Sequence, residues 1–133
     1  MSLFVDSSVW SLALRRDTPA DHAVVDILRR ALVDGDTLVI TGIVLQELLQ
    51  GFRGPKDQIR IIERLQALPF LSPSRGTYIQ AATLRNTCRR KDVQLGTVDA
   101  LIAQPCIEHD LALLTADKDF VHAARFVPLR LAA

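Results

Sequence analysis

Cysteine is nearly absent from this chain of 133 residues. Only Cys88 and Cys106 occur, each within a helical pattern, and they are expected to be buried free thiols rather than disulfide partners. Histidine is also scarce: His22, His109 and His122 form no cluster with cysteine, which argues against a zinc site. Aromatic residues make up 5%, too few for a broad base-stacking platform. No apolar run is long enough to span a bilayer. The N-terminus lacks a charged segment followed by an apolar stretch and a small-residue cleavage site, so no signal peptide is expected and the expectation is a cytoplasmic chain with no membrane contact. There is no internal repeat, linker or low-complexity tract, and the length fits a single domain over residues 1–133.

What the chain does contain is a set of isolated carboxylates in apolar surroundings. Asp6 ends Leu3-Phe4-Val5, and Glu47 interrupts Ile43-Val44-Leu45 and Leu48-Leu49. Asp99 precedes Ala100-Leu101-Ile102-Ala103, and Asp117 follows Leu113-Leu114-Thr115. Burying an ionised carboxylate without a partner costs several kcal/mol or forces it to neutralise. Any one of these residues could be a helix cap or a satisfied core carboxylate. Together they suggest convergence on a hard divalent cation, for which an all-oxygen donor set favours Mg²⁺ or Mn²⁺ over Zn²⁺. Asp117-Lys118-Asp119 echoes a calcium loop, but the glycine and distal glutamate of an EF-hand are missing. Ser8 and Thr115, beside Asp6 and Asp117, could hold a carboxylate, a water or a phosphate oxygen, or be plain cap and turn residues.

The net charge of +1 hides an asymmetry. Setting aside Asp6, Glu47, Asp99, Asp117 and Asp119 leaves 16 basic residues against 10 acidic ones, a balance of +6 around an acidic centre. That layout suits a polyanion approaching bound cations.

The hydrophobic pattern predicts short buried strands at Leu3–Val5, Leu38–Ile40 and Leu111–Leu114, a possible strand at Phe70-Leu71, and an edge strand at Phe126–Leu129. Helices are expected from Asp6-Ser7-Ser8 through Leu14, from about Ala20 to Leu32 with Val24, Val25, Leu28 and Leu32 on one face, and from Thr41-Gly42 to Phe52. Further helices are expected over about Lys56–Ala67 with Ile59, Ile62 and Leu65 inward, Ser74–Lys91, Val98–His109 capped by Thr97, and Asp117–Ala123. This alternation predicts a three-layer α/β/α domain with a short, mostly parallel central sheet, in which ligands bind at the carboxyl ends of the strands. Asp6 and Asp117 fall at that edge. Glu47 points partly from an apolar helix stripe with Gly51 leaving room beside it, and Asp99 sits in a helix's first turn, where the macrodipole favours negative charge.

Four segments carry a family likeness in their order and spacing: V-D-S-S-V-W at Val5–Trp10, V-L-Q-E-L-L-Q-G at Val44–Gly51, T-V-D-A-L-I-A at Thr97–Ala103, and L-L-T-A-D-K-D-F at Leu113–Phe120. Over nearly its whole length the chain resembles the PIN-domain ribonucleases, and specifically the VapC toxins of VapBC toxin–antitoxin modules. The resemblance implies that Asp6, Glu47, Asp99 and Asp117 are catalytic and gather around Mg²⁺ or Mn²⁺, with Ser8, Thr115 and Asp119 supporting them. It further implies RNA cleavage to a 5′-phosphate and a 3′-hydroxyl, a homodimer open to higher toxin–antitoxin assembly, and inhibition by a VapB-like antitoxin. Two other readings stand beside it: a structure-specific, metal-dependent DNA nuclease, and a non-catalytic PIN-like binding protein in an antitoxin or repressor complex. Arg15, Arg16 and Arg53 follow site-bearing helices and are candidates for the RNA backbone; Arg89-Arg90-Lys91 reads first as favourable charge at a helix C-terminus. Pro105 departs from the family pattern. It removes the hydrogen bond to the Leu101 carbonyl at a cost of about 3 kcal/mol unless the helix bends, which puts the direction of the Asp99 helix at issue.

Overall fold

The computed structural model describes residues 1–15 and 22–132. Four strands form one sheet in the order β3-β2-β1-β4, every pairing parallel: β1 (Ser2–Val5), β2 (Thr37–Thr41), β3 (Phe70–Leu71) and β4 (Ala112–Leu114). Phe4 lies between Val39 of β2 and Leu113 of β4, so β1 is central. Consecutive residues of β1, β2 and β4 are buried, whichever face they point to, because helices cover both sides of the sheet. This is the three-layer α/β/α arrangement expected of such strands.

The helices are α1 (Ser7–Leu14), α2 (Ala23–Val33), α3 (Gly42–Gly51), α4 (Pro55–Leu65), α5 (Arg75–Arg90), α6 (Thr97–Glu108) and α7 (Lys118–Ala123). Asp6, Ser74 and Asp117 cap α1, α5 and α7 with their side chains, and Ser74 forms a reciprocal capping box with Thr77. Thr41 stands at the N-cap of α3 but its hydroxyl makes no capping bond, and Gly96, not Thr97, is the N-cap of α6. Cys88 on α5 and Cys106 on α6 are free thiols, both buried.

Three expectations change on packing. In α2 the buried stripe is Val25, Leu28 and Ala31, and Leu32 is exposed. In α4 the buried residues are Ile61 and Leu65, with Ile59 and Ile62 exposed. The reason lies outside the helix: Gln58 donates to the carbonyls of Leu49 and Phe52 at 3.1 and 2.9 Å, completing the end of α3, and Arg60 donates to the Leu14 carbonyl at 3.2 Å. Those bonds fix the rotation of α4. The edge strand expected at Phe126–Leu129 does not form. The N–H groups of Phe126 and Val127 both donate to the Ala123 carbonyl, continuing the turn of α7, and the strand-like pairing is a single bridge from Leu113 to Leu131.

Pro105 is buried inside a continuous α6. The turns after it close normally, with His109 N–H donating to the Pro105 carbonyl and Leu111 N–H to that of Cys106. The C-terminal end is tied to α5 by Thr77 Oγ1 donating to Glu108 at 2.9 Å. The proline therefore acts beyond the first turn, and Asp99 keeps its place.

Candidate metal centre

The carboxyl ends of β1 and β4 lie side by side, and the chain leaves each strand through an aspartate that caps the next helix. Asp6 is buried and its backbone N–H donates to the Leu114 carbonyl at 3.0 Å, locking the two strand ends together. Its carboxylate is saturated. Oδ1 accepts from the Ser7 N–H at 2.8 Å and lies 3.5 Å from the Ser7 hydroxyl, while Oδ2 accepts from the hydroxyls of Ser8 and Thr115, both at 2.9 Å. The same hydroxyls reach onward: Ser8 Oγ accepts from the Ala116 N–H at 3.1 Å and Thr115 Oγ1 from the Asp117 N–H at 3.0 Å. Both residues expected to support the site thus connect Asp6 to the loop that carries Asp117. Asp117 Oδ1 in turn accepts from the Asp119 N–H at 2.9 Å.

A cleft of about 200 Å³ opens above this floor, lined by Asp6, Glu47, Asp99 and Asp117 together with Ser7, Ser8, Ser11, Leu48 and Gly51. All four carboxylates singled out in the sequence meet there. Gly51 widens the cleft beside Glu47, since a Cβ at that position would meet nothing within 4 Å. One carboxylate oxygen each from Asp99, Asp117 and Asp119 lies within 4.8 Å of the others, so Asp119 joins the acidic cluster rather than only bordering it.

Electrostatics separate the two parts of the cleft. Asp99 titrates near pH 6, raised from 3.8 by burial first, then by the charges of Asp117 and Asp6 and, last, Asp119, against a backbone hydrogen bond from Gly96. Glu47 is also raised, by burial and by Asp6, with the Ser7 hydroxyl at 3.3 Å opposing the shift. Among the described residues, no lysine or arginine pairs with Asp99, Asp117 or Asp119. A cluster of hard oxygen donors that repel one another, with no cationic side chain paired to them among the described residues, fits a divalent ion of the Mg²⁺ or Mn²⁺ kind.

Sequence reasoning missed two residues. Ser7 bridges Asp6 and Glu47, and Ser11, one helical turn later on the same face, lines the cleft. Their mutual spacing of four residues, starting just after the β1 exit, was the available signal. Of the proposed RNA contacts, Arg53 lies two residues beyond cleft-lining Gly51, whereas Arg15 stands at the far end of α1, about 12 Å along the helix axis from its start. Arg16 lies outside the described residues.

Known proteins share this architecture. A chain of the VapBC2 structure from Rickettsia felis, bound to a promoter DNA fragment, superposes with a TM-score of 0.78 at 21% identity, over 98% of this chain and 97% of that one. VapC20 from Mycobacterium tuberculosis, a toxin that cleaves the sarcin–ricin loop, gives 0.71 at 21% identity over 96% and 98%. A chain of VapBC-1 from nontypeable Haemophilus influenzae gives 0.74 at 20% identity over 98% and 96%. At these identities the likeness establishes the fold. No curated protein matches the sequence. The PIN-domain family model matches residues 3–126, nearly the whole chain, and with the acidic cleft at its expected sheet edge the chain belongs to the PIN-domain family.

Proposed function

We propose that the chain is a toxin-type endoribonuclease that hydrolyses RNA phosphodiester bonds with the help of Mg²⁺ or Mn²⁺ and is held inactive by a VapB-like antitoxin. The observation that carries this reading is the meeting of Asp6, Glu47, Asp99 and Asp117 in one cleft, with no lysine or arginine paired to them among the described residues. The toxin and antitoxin components draw on the VapBC structures that share the fold, and RNA as substrate on the sarcin–ricin-loop-cleaving relative. A homodimer is part of the same proposal.

Asp99, Asp117 and Asp119 are the residues to hold the cation, with Asp6 and Glu47 completing the negative surround. Such an ion supplies Lewis-acid chemistry, lowering the pKa of water and stabilising charge on the phosphate in the transition state. The chain's own groups do the rest. Asp6 fixes the floor through its bonds to Ser7, Ser8 and Thr115. Glu47, held at Oε1 by the Ser7 hydroxyl, presents its second oxygen to the cleft as acceptor for the proton that the attacking water sheds. A water oxygen bonds to phosphorus as the bond from phosphorus to the 3′ oxygen breaks, and that oxygen takes up a proton, leaving a 5′-phosphate and a 3′-hydroxyl.

The test is cleavage of a structured RNA with added Mg²⁺ or Mn²⁺, by wild type, D6N and D99N. Cleavage that is lost in EDTA and in both variants is expected. Cleavage persisting in excess EDTA would overturn the metal mechanism, preferential cutting of branched DNA would replace the substrate class, and tight RNA binding without cleavage would make the chain a binding protein.

A further inference from the structure

The C-terminal half of α5 carries two arginines, Arg85 and Arg89, that the described residues leave without a partner. Arg85 and Arg89 stand four residues apart, on one helix face, and line a polar cavity of about 290 Å³ closed by Asp92, Val93, Gln94 and Leu95. Among the described residues neither guanidinium has a hydrogen-bond or ion-pair partner, and Arg85 Nε is buried without one. Asp92 is the only acidic group in the lining and pairs with neither arginine. Its backbone is left-handed, at φ 58°, where its N–H turns back to the Arg89 carbonyl and closes the end of the helix.

Two like charges one turn apart repel, and a buried N–H without an acceptor is costly. A helix C-terminus explains why cations are tolerated at this end of α5. It does not explain a concave polar cavity or the buried, unpaired Nε. An anion with several acceptor oxygens would relieve both, and the planar guanidinium fork matches a phosphate.

The location supplies the second argument. Leu95, in the cavity wall, immediately precedes Gly96, whose backbone bonds the Asp99 carboxylate. Arg85 also borders the groove formed with Thr97, Ala100 and Leu101, so it packs against the first turns of the helix that carries Asp99. The arginine pair and the acidic cleft thus flank the same end of α6.

We propose that Arg85 and Arg89 form a phosphate subsite that grips the backbone of the bound polynucleotide beside the cleft and positions it for cleavage. This rests on the reading of the chain as a ribonuclease. The subsite holds a phosphodiester by charge and fork geometry, makes no base contact, and affects register and affinity rather than chemistry.

The experiment measures binding of a fluorescent single-stranded RNA by anisotropy over a range of salt concentrations, in the D6N background so that the probe stays intact. Each phosphate contact to a single strand contributes about 0.7 to the slope of log affinity against log salt. R85Q/R89Q is expected to lower that slope by about 1.4 and weaken binding. R85K/R89K, which keeps the charge, is expected to retain the slope while binding more weakly, because the fork is lost. R75Q, at the opposite end of α5, is expected to leave the slope unchanged. Inorganic phosphate at matched ionic strength is expected to displace RNA only at millimolar concentrations.

A parental slope that R85Q/R89Q leaves intact would overturn the subsite while leaving the ribonuclease reading in place. Absence of any salt-dependent RNA binding in the D6N parent would remove both. Displacement by micromolar inorganic phosphate would make the cavity a free-phosphate site, and displacement by polyglutamate at equal charge would assign it to an acidic protein; either overturns the backbone grip.

Discussion

The floor and the wall of the cleft hold the same side chain in opposite conditions. At the floor, Asp6 is buried yet receives the Ser7 N–H and the hydroxyls of Ser8 and Thr115. At the wall, Asp99 faces Asp117 and Asp119, with a single backbone bond from Gly96 in its favour. The first carboxylate is held by the fold and in turn holds it, joining β1 to the β4 exit loop. The second is held against repulsion that a proton or an added cation removes. Burial alone therefore does not mark a ligand; the shortage of donors around a partly buried carboxylate does.

The sharpest way to break this comparison is to neutralise each side separately. Asp6→Ala strands three donors, so the metal-free protein is expected to lose about 2–4 kcal/mol in denaturant unfolding. Asp99→Asn removes repulsion and is expected to leave metal-free stability unchanged or raise it by about 1 kcal/mol, while RNA cleavage falls at least about 100-fold. Equal destabilisation by both would erase the distinction. Thr115→Val tests the link between floor and wall: a loss of about 1–2 kcal/mol is expected, with cation affinity reduced about 10- to 100-fold in a Mn²⁺ titration.

The pH dependence follows from Asp99. Its carboxyl titrates near pH 6 when folded and near 3.8 otherwise, so between those values the folded chain holds the extra proton. Metal-free stability is therefore greatest below about pH 4 with respect to this group and falls as pH rises through about 6. The expected loss is about 1–2 kcal/mol once solvent screening around a half-buried group is allowed for. Unfolding curves of wild type and D99N across that window check it, with the slope due to Asp99 absent from the variant. The smallest effect is at Ser7→Ala. Loss of the hydroxyl near Glu47 is expected to cost about 0.5–1 kcal/mol and to raise the Glu47 carboxyl further, read by carboxyl NMR titration.

How much of this was legible in the sequence depended on whether a residue's role is local. The strands at Leu3–Val5 and Leu38–Ile40 were legible because unbroken apolar runs bounded by turn and cap residues mean burial on both faces. Asp6 and Asp117 were legible as strand-end residues for the same reason. The inward face of α4 was not, because Ile59 and Ile62 offer as good an apolar stripe as Ile61 and Leu65, and the choice is made by Gln58 bonding carbonyls of α3. Ser7 escaped because its bond to Glu47 spans 40 residues, and a capping serine looks the same with or without it. Arg89 was hidden by a sound local explanation, the helix C-terminus, and Arg85 drew no notice; only the cavity they share shows that explanation to be incomplete.

The central claim, that the Asp99 wall is where a cation binds, is tested most directly by titrating Mn²⁺ into metal-free wild type and D99N by calorimetry at pH 5.5, in two buffers of different ionisation enthalpy. Wild type is expected to bind with release of a proton, since part of Asp99 is protonated at that pH, and D99N to bind at least about 10-fold more weakly without that release. Matching affinity and matching proton release in the two proteins would contradict the account.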